Sequence, residues 1–254
     1  MRIPKGSPFM TSFIQQPDRS SRSEIAAIVF ALSFPTLLTW IYFILLADHA
    51  PALQQSAYSI GKLIQFGFPI VWVWLIRREQ VRQPRLRPDG LLVGTLIGVA
   101  ITSGSLAAYW LVLKPMGAFD SAGEMIRQRV AAAGIDSPMK FAALGLFYSI
   151  GHSLLEEYYW RWFVFARLRS LTSLPKAIVI SSLGFMAHHV VVLSHYFGGL
   201  SYLTCFFSLG VAVGGVIWAW LYARSRSIFG PWLSHALVDA GIFLVGYEIV
   251  RSAL

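Results

Sequence analysis

The sequence predicts an all-α, polytopic integral membrane bundle of about seven, at most eight, transmembrane helices. Two observations carry that expectation. The 254 residues are 56% hydrophobic and only 13% charged, with a mean hydropathy of +0.60. A soluble domain carries about 25% charge, so this chain cannot cover itself with polar surface. The apolar residues also fall in long blocks divided by short basic clusters, the pattern of successive bilayer spans.

The elements follow in order. Residues 1–23 are polar and basic and read as a flexible cytoplasmic tail. Seven apolar blocks follow at 25–47, 56–76, 91–113, 139–166, 174–194, 201–222 and 229–249. Each meets the roughly 20 residues a bilayer requires. The first is too long for a signal-peptide core and reads as a retained anchor. The chain divides into the tail (1–23), N-terminal spans and a link (24–138), and a C-terminal helical core (139–254).

Charge in the connections orients the spans. The 48–55 and 195–200 loops hold no Lys or Arg, whereas 77–90 holds five Arg and 223–228 holds Arg224 and Arg226. The positive-inside rule then puts the N-terminus, 77–90, 167–176 and 223–228 in the cytoplasm. Within the outward link 114–138, SAGEMIRQRVAAAG reads as an interfacial amphipathic helix. The net charge of +9 is explained by these loops, so no nucleic-acid partner is expected. The single cysteine, Cys205, excludes an internal disulfide and reads as inert packing.

Ionisable residues within the spans are unevenly placed. The first three hold almost none apart from Lys62, whereas the later ones hold His152, Glu156, Glu157, Arg161, His188, His189, His235 and Asp239. A mid-bilayer charge costs about 2.5–3.5 kcal/mol, so Glu156, Glu157 and Arg161 facing lipid would cost roughly 8–10 kcal/mol. They must face the bundle interior, an interface or a wet cavity. Glu157 precedes Arg161 by four residues, the favourable order for a helical ion pair. Glu156 points about 100° away, free for a different task. His235 and Asp239, four apart, share a face.

Three patterns stand in order on these spans: EEYYWR at 156–161, FMAHH at 185–189 and HALVD at 235–239. Together they resemble the CPBP family, the CAAX proteases and bacteriocin-processing membrane proteins. The resemblance covers roughly residues 139–245 and implies a glutamate-type intramembrane endopeptidase. It implies that Glu156 is the catalytic glutamate and that His189 is its partner in activating water. Glu157, Arg161 and Phe185 would be supporting residues, and His235 the second histidine, near the oxyanion. Asp239 falls where some relatives carry Asn. An ionised carboxylate cannot donate to an oxyanion, so Asp239 orients His235 or is protonated. The residue types suit peptide hydrolysis, which needs a base for water, an acid for the leaving amine and donors for developing charge.

Structural readings stand beside these. Glu157–Arg161 also fits a purely structural ion pair. His188 reads as structural, pointing elsewhere than His189. His152, four residues before Glu156, reads as packing or as a group tuning that glutamate. His195 reads as interfacial, and the aromatics of 158–163 as packing and interface anchors. No cofactor is expected. The alternative is zinc held by Glu156, His189 and His235, a reasonable catalytic donor set. A proton relay or transporter and a non-catalytic scaffold are further alternatives. The expected partners are the bilayer and a membrane-associated protein or peptide substrate, whose prenylation is open. The compact length suggests a prokaryotic plasma-membrane protein.

Overall fold

The structure is a computed structural model that describes residues 19–80 and 87–254. Most of the expected 1–23 tail and part of the arginine-rich connection lie outside the described residues. Eight helical runs follow one another: α1 (19–45), α2 (Pro51–Ile76), α3 (88–113), α4 (Asp120–Ala132), α5 (138–171), α6 (Leu174–Tyr196), α7 (Tyr202–Ser225) and α8 (Phe229–Val250). No strand occurs among the described residues.

Six of these runs, all except α4 and α5, are long and apolar enough to cross a membrane. α5 contains the expected 139–166 span and extends it. At 1.5 Å per residue it is roughly 50 Å long, but Glu156, Glu157 and Arg161 reduce its apolarity. α4 is the short amphipathic helix expected in the link. Its Arg127 holds Glu124 at 2.9 Å and donates to the Ile249 carbonyl on α8 at 3.1 Å.

Helix starts have local causes. Pro51, Pro88, Pro138 and Pro175 occupy first turns, where a missing N–H costs nothing. The Ser137 and Ser201 hydroxyls accept from the N–H groups of Lys140 and Thr204 and cap α5 and α7. α5 winds as π-helix at Phe147–His152 and Tyr158–Phe165, on both sides of the α-helical turn Ser153–Glu157. π turns often mark functional sites. Here α1, α2 and α3 end in them too, so winding alone does not single out a site.

Polarity is inverted relative to a soluble protein. Large apolar side chains such as Leu63, Leu75, Leu111 and Leu209 stand outward, whereas Glu156, Glu157, Arg161, His188 and His235 are buried. α5 runs through the centre. The Tyr159 hydroxyl donates to the Ala31 carbonyl of α1 at 2.8 Å, and the Tyr158 hydroxyl to the Phe66 carbonyl of α2 at 3.2 Å. From α8, Trp232 Nε1 donates to the Ile150 carbonyl at 3.0 Å. The tyrosines expected as packing residues therefore also tie helices together through buried polar groups.

α3 seats α8. A Cβ on Gly94 would collide with the Gly230 carbonyl, and one on Gly98 would lie 2.9 Å from Leu237 Cδ1 and from Ser234 Cα. Such close approach through small residues replaces the hydrophobic drive that lipid removes between helices. Thr102 Oγ1 adds a bond to the Leu237 carbonyl at 2.9 Å. α8 is thereby held at the height that presents His235. Cys205, expected as packing, lies exposed on α7.

Candidate active site

Four helices bring the polar residues together. α5 contributes His152, Glu156, Glu157 and Arg161, and α6 contributes Phe185, His188 and His189. α7 contributes Trp218, and α8 contributes Ser234, His235 and Asp239. The three sequence patterns thus meet in space.

The two glutamates are held differently. Glu157 is fully buried and directly bonded: His235 Nδ1–H donates to Oε1 at 2.9 Å, and Arg161 Nε lies 3.1 Å from Oε2. The i, i+4 pair expected from spacing is present, with a histidine from another helix added to it. The Arg161 guanidinium lies over the rings of Phe185 (4.8 Å) and Trp218 (5.2 Å). Its two Nη atoms find no hydrogen-bond acceptor among the described residues. Ring faces compensate part of that buried charge.

Glu156 is ringed at longer range. His188 Nε2 is 3.6 Å from its Oε1, and His235 Nε2 and His152 Nδ1 are 3.7 and 3.9 Å from its Oε2. Contacts of this length are long for direct hydrogen bonds and suit bridging by water. His189 has a defined tautomer when neutral. Its Nδ1 lies 2.9 Å from the Phe185 carbonyl, which only accepts, so Nδ1 carries the proton and Nε2 a lone pair.

Aromatic rings fix the imidazoles. His235 stacks on Trp218 with centroids 3.9 Å apart, and the indole Nε1 donates to Ser234 Oγ at 3.1 Å. His188 lies parallel to Trp160 at 5.8 Å. Phe185 packs edge-on against His189, His188 and His235. Asp239, one turn beyond His235 and part-exposed, has Oδ1 3.6 Å from His235 Nε2. It stands beside His235, as the shared helix face predicts.

The direction expected for His188 is corrected. It does not point away from the site: its ring centroid is 4.1 Å from that of His189, and both turn toward Glu156. Adjacent helical residues diverge by about 100°, but the Glu156 carboxylate sits in the opening between them. The ligand atoms of Glu156, His188 and His189 all lie within 4.8 Å of one another, a separation a metal ion could gather. His235 is not in that set; its Nδ1 is engaged with Glu157. The second ring nitrogen of His189 is bonded to a carbonyl, as metal-bound histidines commonly are.

Residues 138–241 match the family described as type II CAAX prenyl endopeptidase Rce1-like. The match supports the CAAX-protease (CPBP) family that the three sequence patterns resemble. No curated protein and no solved structure compared with the chain gives a significant match. The matched segment begins with α5 and ends just beyond Asp239, so it contains every site residue named above. α1, α2 and α3 lie outside it. Two residues of the site escaped the reading of the sequence. His188 had only its adjacency to His189 as a signal, and Trp218 was one more aromatic residue in an apolar span.

Proposed function

We propose that this chain is a glutamate-type intramembrane endopeptidase that cleaves a membrane-associated protein or peptide. One observation carries the reading. Glu156 is buried, and three imidazole nitrogens surround it at 3.6–3.9 Å, none at direct hydrogen-bond length, while its neighbour Glu157 holds His235 at 2.9 Å and Arg161 at 3.1 Å. A water held between Glu156 and the His189 Nε2 lone pair would be positioned for attack. Glu156 takes a proton from that water as its oxygen adds to the scissile carbonyl carbon. The same proton passes to the leaving amine as the C–N bond breaks. His188 steadies the second oxygen of Glu156. His235, as imidazolium, donates from Nε2 to the oxyanion and keeps Nδ1 on Glu157. Asp239 orients His235, and Glu157 with Arg161 and Phe185 holds the frame.

The matched family's name points to a CAAX-type C-terminal tail as substrate, prenylated or not. The loop charges favour an N-terminus and site access on the cytoplasmic side of the membrane. Labelling cysteines introduced in 77–90 and 195–200 checks this, and equal sidedness of the two loops would refute it. The activity is tested by mapping peptide termini in membranes that hold wild type or Glu156→Gln at matched expression. Specific termini absent only in the variant support the protease and name its substrates. Identical termini, under conditions where wild type gives a phenotype, refute it.

A second reading uses the Glu156, His188 and His189 set as ligands for a divalent metal such as zinc. The metal would supply Lewis-acid activation of water there. Near-stoichiometric metal in protein purified without chelator, lost in His188→Ala, would favour it over metal-free catalysis.

A further inference from the structure

Lys62 is the only Lys, Arg, Asp, Glu or His in the expected spans 25–47, 56–76 and 91–113, and neither the family match nor the chemistry above uses it. Its surroundings do not explain it as an ion-pair partner. Nζ is 3.2 Å from Gln65 Oε1 and sits by the rings of Tyr58 (5.3 Å) and Phe66 (5.4 Å). No carboxylate among the described residues lies within ion-pair distance of it. An ammonium has three donors, and Gln65 takes one.

The side chain faces the site. Lys62 is within electrostatic range of Glu156, His152 and His188. The Phe66 ring meets His152 edge-on at 6.4 Å, and His152 Nδ1 is 3.9 Å from Glu156. The bond from Tyr158 to the Phe66 carbonyl fixes α2 against α5 at this level. The cation therefore stands beside the Glu156 site, linked to the carboxylate through the rings of Phe66 and His152. It is also about 16 Å along the axis from Pro51, at 1.5 Å per residue, deep in a helix that ends at Ile76. A phospholipid headgroup at the membrane surface does not reach that depth. A peptide end drawn in to the Glu156 site does.

We propose that Lys62 receives the C-terminal carboxylate of the substrate and so directs cleavage to a bond a few residues from a free chain end. The inference rests on the endopeptidase reading. A few residues of extended chain, at about 3.3–3.6 Å each, bridge from Nζ past Phe66 and His152 to Glu156. Gln65, itself buried, orients the ammonium, and the flanking rings exclude water from the pair.

The test uses full-length protein in lipid nanodiscs and one probe in two forms. The probe is a fluorescent S-farnesyl peptide ending in Cys-Val-Ile-Met, as the free acid and as the C-terminal amide. Binding is measured by anisotropy on Glu156→Gln and on Glu156→Gln with Lys62→Met. Cleavage is measured on wild type, Lys62→Met and Lys62→Arg. The acid is expected to bind at least tenfold tighter than the amide, with the preference lost in Lys62→Met. Lys62→Arg should restore part of it in kcat/KM. Equal binding of acid and amide, undetectable binding of the acid, or a preference that survives Lys62→Met overturns the proposal. The first two of these need no Lys62 variant, so misfolding of one cannot mask them. An acid preference that depends on Lys62, with no cleavage by wild type, would refute the protease and leave the anchor standing.

Discussion

Glu156 and Glu157 adjoin in the chain and occupy different physical settings. Glu157 is paired with His235 at 2.9 Å and Arg161 at 3.1 Å, inside a wall of Phe185 and Trp218. Glu156 meets three histidines, none closer than 3.6 Å. One carboxylate is committed to holding helices in place, and its neighbour retains capacity to bind and move a proton. Two like charges side by side can thus divide structure from chemistry, because one residue along a helix turns a side chain by about 100°.

The largest effect should separate the two residues by what each loses. Glu156→Gln is expected to lower cleavage by about 10²–10⁴-fold, the usual worth of a general base, while thermal stability in detergent stays near wild type. Glu157→Gln is expected to do the reverse first. It leaves Arg161 buried without its counter-charge and should destabilise by about 3–5 kcal/mol. A Glu156 variant that unfolds, beside a stable Glu157 variant, would invert the division of labour.

Arg161→Met should cost a similar 3–5 kcal/mol, because Glu157 is then the unpaired buried charge. The double variant Glu157→Gln with Arg161→Met is expected to be more stable than the sum of the singles predicts. The shortfall, read from a double-mutant cycle of unfolding free energies, measures the pair. Additive effects would mean that His235 alone satisfies Glu157.

Trp218→Phe is a smaller probe. It keeps a ring against His235 but removes the bond to Ser234. A loss of about 1 kcal/mol in stability is expected, as for one hydrogen bond. Activity should fall by about tenfold, seen in kcat more than in KM.

The smallest effect lies outside the bundle centre. Arg167 donates to both Glu79 oxygens at 2.7 and 2.6 Å and holds that carboxyl below the usual carboxylate range. The folded value is depressed, so the folded state binds fewer protons than the unfolded one. The contribution is present above the unfolded value and is lost as pH falls through the folded one. Exposed pairs contribute under about 1 kcal/mol. Comparing the acid limb of stability in wild type and Glu79→Gln should show a shallow difference that vanishes at low pH.

Much of this was legible in the sequence because bilayer physics writes in large letters. Six of the seven apolar blocks are helices both long and apolar enough to cross a membrane, and the charge pattern of 121–134 announced α4. Spacing paired Glu157 with Arg161 and placed Asp239 beside His235. What stayed hidden depends on the rotation of one helix against another. His188 looked averted because two neighbours on one helix diverge, and only the position of α5 shows that Glu156 lies between them. Lys62 stood out as a lone charge, but nothing in its own span says that it faces α5. The π turns on both sides of Glu156 also shift the angular register, and no local residue signal marked them.

The i, i+4 arrangement of Glu157 and Arg161 has a consequence for how the chain is made. During synthesis α5 emerges before α8, so Glu157 enters the membrane without His235. At roughly 5–20 residues per second, the 64 residues from 171 to 235 take about 3–13 s. Through that interval α5 carries its own counter-ion, and the span can be delivered to lipid with one of its two acidic charges already neutralised. The pair that later frames the site first serves as a travelling companion for insertion. Moving Arg161 to another helix could leave the finished protein's contacts intact and still strand the half-made chain.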